Sequence, residues 1–225
     1  MPRTARASSA GVAYHVLNRG NARAPVFFDP DDCQAFVDLL GLSHGRLPMP
    51  VLGFTLMPNH FHLVLWPRGD GDLGRWMQWL LTSHVRRHHR RHGGSGHVWQ
   101  GRFKAFPAQS DGHLLTVLRY VERNPLRANL VRRAEEWRWS SLRWLARPDR
   151  PAWLHDGPVP RPDGWIGWVN QPQSEKELDA LRKSVLRGAP FGEEGWAKQT
   201  AARLGLEFTM NPRGRPRKKE QEVEK

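Results

Sequence analysis

Two histidines separated by a single residue are the first side chains in this sequence that could bind a metal ion. His60 and His62 lie in an apolar run that predicts a β-strand. Side chains two positions apart on a strand point to the same face, so both imidazoles would lie together while Phe61 points into the core. Two such imidazoles can bind one metal ion. The same pattern is typical of an ordinary solvated strand face, and the pair alone does not decide between the two interpretations.

A tyrosine and an asparagine one helical turn apart form the second pair. Tyr120 and Asn124 lie in a segment with helical spacing of apolar residues, which Asp111 is predicted to cap. Residues four apart share a helix face, so the phenol and the amide would face the same site. Pro125 is predicted to end the helix. The alternative interpretation is a partly buried tyrosine beside a helix-terminating asparagine.

The elements that must position these residues follow the order strand, helix, strand, strand, helix, strand, helix. This order predicts an α+β fold, with a small antiparallel sheet and helices packed on one face of it. The predicted strands lie at 12–18, 51–57, 60–66 and within 99–108, and the predicted helices at 29–40, 72–91 and 111–123.

Three segments are predicted along the chain. Residues 1–146 form the domain that carries both pairs. Residues 147–210 form an extension, irregular in its proline-rich first part and then helical, where Ser174 and Glu177 make a capping box. Residues 211–225 are polar and charged, and we expect them to be disordered.

The composition points to a polyanionic partner. The 225 residues contain 35 Lys and Arg against 22 Asp and Glu, a formal net charge of +13. Nucleic acid is favoured over a membrane surface, because no apolar run reaches the roughly 18 residues that a membrane span needs. The start of the sequence lacks the apolar stretch of a signal peptide, so we expect a cytoplasmic, nucleoid-associated bacterial protein. Cys33 is the only cysteine, which excludes an internal disulfide and a cysteine-rich zinc finger.

Taken together, these residues resemble a known family. His60-Phe61-His62 is similar to the HUH motif of histidine, bulky apolar residue and histidine, and 120–124 is similar to the helix that carries a single catalytic tyrosine. Over about residues 10–146 the chain resembles the REP-associated tyrosine transposases, relatives of the insertion-sequence transposases that use one tyrosine. Further matching motifs follow in the same order: Tyr14-His15-Val16, Asn18-Arg19-Gly20-Asn21, Met57-Pro58-Asn59, Trp99-Gln100-Gly101-Arg102-Phe103, 124–131 and Trp139-Ser140-Ser141.

The resemblance implies a ferredoxin-like core with the strand of the two histidines at the centre of the sheet. It also implies a divalent metal, Mg²⁺ or Mn²⁺, bound by His60, His62 and Asn124, where some relatives carry glutamine. Tyr120 is then the nucleophile that attacks single-stranded DNA near palindromic hairpins, forms a 5′-phosphotyrosine and releases a 3′-hydroxyl.

The implied partners are single-stranded DNA and hairpins of repetitive extragenic palindromes, with no membrane partner and with the protein as a monomer or homodimer. Two alternatives stay open at this point. The chain could be a replication or conjugation nickase, although such proteins are commonly larger. It could also be a non-catalytic or domesticated DNA-binding protein on the same fold.

Basic side chains predict where DNA would bind. The segment 84–92 suggests a phosphate-binding stripe on a helix, and the one-turn spacing of its histidines as a metal site is disfavoured by the neighbouring arginines. The Arg-Gly-Arg-Pro run near the end resembles an AT-hook core, which lies in the minor groove, with a generic basic tail as the alternative. The predicted DNA-binding residues are Arg19, Arg86, Arg87, Arg90, Arg91, Arg102, Arg213, Arg215 and Arg217.

Overall fold

The sheet is four-stranded and antiparallel. A computed structural model describes residues 8–145 and 147–211 of the chain. The strand order is β2-β3-β1-β4, which is the predicted ferredoxin-like arrangement and places the strand of the two histidines inside the sheet. The strands are β1 (Ala13–Arg19), β2 (Val51–Met57), β3 (His60–Leu65) and β4 (Lys104–Ala108).

Two helices cover one face of this sheet. α1 (Pro30–Arg46) is preceded by Asp29, whose carboxylate caps the backbone N–H groups of the first turn. α2 (Asp72–His92) follows β3. Both helices pack on the apolar side chains of this face, where Phe61 and Trp76 are buried. Phe61 therefore points into the core as its position between the two histidines predicts.

A third helix lies on the opposite face. α3 (Gly112–Arg127) packs through Leu118 and Val121 on a second cluster that includes Val64 and Phe106 of the sheet. The expectation of helices on one face is met by α1 and α2, whereas α3 covers the other face. Because β3 alternates, the face that α3 covers is the one to which both histidines point.

The prediction that Pro125 ends the third helix is wrong, because the helix continues to Arg127. A proline has no N–H, so the carbonyl of Val121, one turn earlier, loses its helical partner. The hydroxyl of Thr55 on β2 lies within donating distance of that carbonyl, at 2.9 Å, and shares its single proton with the Phe54 carbonyl at 2.8 Å. A side chain of the sheet therefore satisfies the group that Pro125 leaves free, and ties the helix to the sheet next to Tyr120.

The extension packs against α3. Arg119 donates hydrogen bonds to the carbonyls of Trp168 and Gln171, and Arg123 to that of Val169, near the end of a short helix of the extension. That helix lies in the proline-rich part that was predicted to be irregular. The predicted capping box is present at the start of the next helix. The helices of the extension are α4 (Trp165–Asn170), α5 (Glu175–Arg187), α6 (Glu194–Leu204) and α7 (Glu207–Met210).

None of the helices in residues 8–145 and 147–211 combines the length and apolar character that crossing a membrane requires.

Candidate active site

Strand β3 presents both histidines to the underside of α3. The rings of His60 and His62 lie 5.0 Å apart between centroids, on the face opposite Phe61. His62 is buried, with 4% of its surface exposed, and His60 is partly buried at the end of the strand. The shared face follows directly from the period of two along a strand.

Both histidines are neutral at physiological pH. Burial lowers the pKa of His60 to about 4, with the positive charges of Arg19 and Arg127 acting in the same direction. Burial also holds the pKa of His62 well below its usual range, and neighbouring positive charge adds to that effect. Neutral imidazoles keep a lone pair for a metal ion, so the environment favours the form that can act as a ligand.

A third histidine, which motif spacing did not single out as a site residue, lies beside the pair. His15 on β1 is completely buried, and its Nε2 lies 2.9 Å from Nδ1 of His62. Burial lowers the pKa of His15 to about 3. The available sequence signal was a histidine flanked by the buried residues Tyr14 and Val16 in a predicted strand. His15 fixes the orientation of the His62 ring, a role that partners of metal-binding histidines commonly have.

Helix α3 places a phenol over these imidazoles. The Tyr120 ring lies 5.8 Å from the His62 ring and 6.2 Å from the His15 ring, edge-on to both. Tyr120 is 7% exposed. Asn124, one turn later, is also buried and donates from its amide to the Tyr120 carbonyl at 2.9 Å. The structure therefore brings together all four residues that the sequence proposed for the site.

An arginine that sequence reasoning missed completes the cluster. Nη2 of Arg127 donates to the Tyr120 hydroxyl at 3.3 Å and to Oδ1 of Asn124 at 2.8 Å. Its guanidinium carbon lies 4.6 Å from the centre of the phenol ring. Arg127 is seven residues after Tyr120, which is two helical turns on the same face, but the predicted helix end at Pro125 removed it from consideration.

The two histidines suit a divalent ion. Nδ1 of His60 lies 2.7 Å from Oδ1 of Asn59, and Nδ1 of His62 is engaged by His15, so each ring keeps Nε2 for a ligand. Asn124 fits less directly, because Arg127 already bonds its amide oxygen. Within the described ranges there is no group of three His, Cys, Asp or Glu side chains placed to hold a metal.

Several predicted DNA-binding arginines lie at the same end of the sheet as His60. Arg19 is the direct cross-strand partner of His60, and Arg102 is exposed just before β4. Arg86, Arg87 and Arg90 are exposed on α2, which runs back to this end from β3. In the described part of the chain, none of these five arginines has a carboxylate within ion-pair distance.

Arg91 differs from its neighbours on α2. Its guanidinium contacts the carboxylates of Asp29, Asp31 and Asp32 at the start of α1. It therefore joins two helices, and its predicted contact with DNA would have to compete with these carboxylates. His84 is not part of the exposed basic stripe either, because it is buried and burial lowers its pKa to about 3.

Arg213, Arg215 and Arg217 of the predicted AT-hook lie outside the described residues.

Comparisons with known proteins found one matching family and several similar folds. The sequence profile of a family described as "Transposase IS200 like" matches residues 8–124. Among solved structures, a REP-associated tyrosine transposase bound to a REP hairpin is 17% identical with a TM-score of 0.54, covering 71% of this chain and 93% of that one. A candidate transposase from Deinococcus radiodurans is 19% identical with a TM-score of 0.37, covering 53% of this chain and 95% of that one. No curated protein matches.

Proposed function

The chain belongs to the IS200-like transposase family, and we propose that it cleaves and rejoins single-stranded DNA with Tyr120 as its nucleophile. The observation that carries this proposal is the position of the Tyr120 ring, 5.8 Å from the His62 ring on the buried face of the sheet. The only other tyrosine, Tyr14, faces the opposite cluster and its hydroxyl accepts a hydrogen bond from the Ser9 N–H. Tyr120 is therefore the one tyrosine of the chain that lies with the histidine pair.

The proposed reaction is a transesterification. The Tyr120 oxygen attacks phosphorus, the bond from phosphorus to the 3′ oxygen breaks, and the DNA remains joined through its 5′ phosphate to the tyrosine. The released strand ends in a 3′-hydroxyl. The phosphodiester is exchanged rather than hydrolysed, so a 3′-hydroxyl of another strand can reverse the step and create a new junction without ATP.

His60 and His62 would hold a divalent ion, Mg²⁺ or Mn²⁺, with Asn124 as a third ligand once Arg127 releases its amide oxygen. When bound, such an ion polarises the phosphate and offsets developing negative charge. His15 keeps the His62 ring oriented by its contact with Nδ1. The buried surroundings of Tyr120 limit the access of water, which favours transfer to a DNA hydroxyl over hydrolysis.

We propose single-stranded DNA next to a palindromic hairpin as the substrate. The REP-associated tyrosine transposase of similar fold is bound to a REP hairpin. The net charge of +13 supports a polyanionic ligand, and Arg19 and Arg102 place unpaired cations at the end of the sheet where His60 lies. Arg86, Arg87 and Arg90 would extend this surface along α2.

A labelled hairpin with single-stranded flanks tests the proposal. Incubated with protein and Mn²⁺ and run on a denaturing gel, it should yield a covalent protein–DNA band that disappears with EDTA and with Tyr120→Phe. A shift under native conditions only would mean that the protein binds DNA without cleaving it. An undiminished covalent band in EDTA would remove the metal from the reaction.

A further inference from the structure

The guanidinium of Arg127 contacts the proposed nucleophile. We propose that Arg127 is a catalytic residue that stabilises negative charge on the scissile phosphate and on the Tyr120 oxygen. The inference rests on the proposed function, since it requires Tyr120 to be the nucleophile. Arg127 donates to the Tyr120 hydroxyl at 3.3 Å and stacks on its ring at 4.6 Å. Of the residues that the structure describes, it alone donates a hydrogen bond to that hydroxyl.

The guanidinium keeps donors to spare. Its bonds to Tyr120 and Asn124 both come from Nη2, and neither Nε nor Nη1 donates to any residue in the described ranges. Guanidinium N–H groups form a planar fork that matches two oxygens of a phosphate. Arg127 can therefore hold a phosphate oxygen while it remains in contact with the attacking oxygen.

The charge around Arg127 is uncompensated. No carboxylate among residues 8–145 and 147–211 lies within ion-pair distance of Arg127 or of Arg19. Arginines with a structural role in this protein are neutralised or bonded: Arg91 pairs with three aspartates and Arg161 with Glu122. Arg127 at the Tyr120 hydroxyl and Arg19 at the cross-strand partner position of His60 therefore leave excess positive charge at the site, which makes it complementary to an anion.

The chemistry needs charge stabilisation in both directions. As the Tyr120 oxygen bonds to phosphorus, the electron pair of the broken bond passes to the 3′ oxygen. The tyrosine gives its proton to solvent, and the 3′ oxygen takes up a proton from solvent. In the reverse step the phenolic oxygen leaves with the electron pair. A charge-assisted hydrogen bond from Arg127 to the phenolic oxygen or to a non-bridging phosphate oxygen stabilises both transition states.

A structural role is the alternative, because Arg127 ends α3 and a cation there also stabilises the helix terminus. The two roles differ in what they change. Loss of a structural arginine would lower the free energy of unfolding and, through it, the thermal stability, the hairpin affinity and the reaction rate together. A catalytic arginine affects the chemical step on bound DNA while hairpin affinity and thermal stability stay nearly the same.

The test is the single-turnover rate of covalent adduct formation on saturating hairpin DNA, measured with Arg127→Gln and with Arg132→Gln. Arg132 is exposed five residues further on, and its side chain makes no hydrogen bond or ion pair with the described residues, so both variants lose the same charge. We expect Arg127→Gln to react about 100-fold more slowly, with hairpin Kd and Tm close to those of Arg132→Gln. Millimolar guanidinium ion should accelerate Arg127→Ala and leave Arg132→Gln unchanged.

A rate for Arg127→Gln within threefold of the Arg132→Gln rate would overturn the assignment. So would a lowered Tm that accounts for the loss of rate, together with no acceleration of Arg127→Ala by guanidinium. If the wild-type protein forms no adduct, the proposed function fails and the role of Arg127 fails with it. Normal adduct formation by Arg127→Gln would contradict the role of Arg127 alone.

Discussion

The two faces of the sheet each bury a histidine, and only one of them has the surroundings of a catalytic site. His84 of α2 lies among Phe27, Phe36 and Trp99 under the face that α1 and α2 cover. His62 lies on the other face, beside two further imidazoles and a phenol. Burial lowers the pKa of both, so both are neutral.

Burial and a lowered pKa therefore do not by themselves mark a functional histidine in this molecule. The difference lies in the neighbours. His84 is packed by three aromatic rings and by the imidazole of His88 on its own helix, with no phenol beside it, and its Nδ1 has no hydrogen-bond partner among the described residues. His62 has an orienting partner, a tyrosine ring 5.8 Å away, and Arg127 nearby, whose guanidinium pairs with no carboxylate among the described residues. The face that α1 and α2 cover contributes apolar packing, and the face that α3 covers is the one to which we assign the proposed chemistry.

The largest expected effect separates the two histidines by activity. His62→Ala should lower the rate of covalent adduct formation at least about 100-fold, because in the proposed mechanism it removes a ligand of the ion that would stabilise the transferring phosphate. The matched variant His84→Ala truncates an equally buried ring and should lower Tm while leaving the rate on saturating DNA within a few-fold. Equal losses of rate in the two variants would remove the distinction between the faces.

Acid should lower the free energy of unfolding through the buried histidines, and His84 allows this effect to be measured away from the proposed active site. In the unfolded chain a histidine takes up a proton near pH 6.5, whereas burial lowers the pKa of His84 to about 3 in the folded protein. The contribution of His84 to stability is therefore complete above pH 6.5 and is lost progressively as the pH falls towards 3.

Between pH 6.5 and 5 this loss amounts to at most about 2 kcal/mol for one histidine. His84→Phe should reduce the acid-induced fall in the free energy of unfolding by up to that amount, as measured by denaturant titration at pH 7.5 and 5. An unchanged pH dependence would show that His84 is already protonated in the folded protein.

A stability effect of similar size tests how α3 is tied to the sheet. Thr55→Val removes the hydroxyl that satisfies the Val121 carbonyl, and Pro125 cannot replace it, so we expect a loss of about 1–3 kcal/mol in the free energy of unfolding. Thr116→Val is the control, since Thr116 is on the same helix and its hydroxyl donates to the Gly112 carbonyl at the surface. Equal stabilities of the two variants would show that the contact of Thr55 does not hold the helix.

The smallest effect on chemistry is expected from the tail. Removal of residues 211–225 deletes a basic segment but none of the residues around Tyr120. DNA binding should weaken, and each lost phosphate contact should flatten the log–log salt dependence by roughly 0.7 to 0.9, while the rate on saturating DNA is retained. An AT-hook predicts a larger loss of affinity on A·T-rich than on G·C-rich duplex flanks, whereas equal losses would indicate a generic basic tail.

The sequence was sufficient where a local period determines which face a side chain occupies. The strand period placed His60 and His62 together, and the helical period placed Tyr120 with Asn124. The missed residues depend on long-range contacts. Arg127 was not predicted as a site residue because Pro125 was expected to end the helix. No local pattern predicts that Thr55, far away in sequence, contacts the carbonyl that Pro125 leaves free. His15 joins the site only through strand pairing, which the sequence does not register directly.

Identification of the residue joined to DNA tests the central claim most directly. Trypsin cleaves after Arg119 and Arg123, so the fragment from Tyr120 to Arg123 can be isolated from the covalent complex after nuclease digestion. Mass spectrometry should find this four-residue peptide carrying a nucleotide 5′-phosphate on its tyrosine. A nucleotide on Tyr14 or on any other residue, with the 120–123 fragment unmodified, would contradict the account.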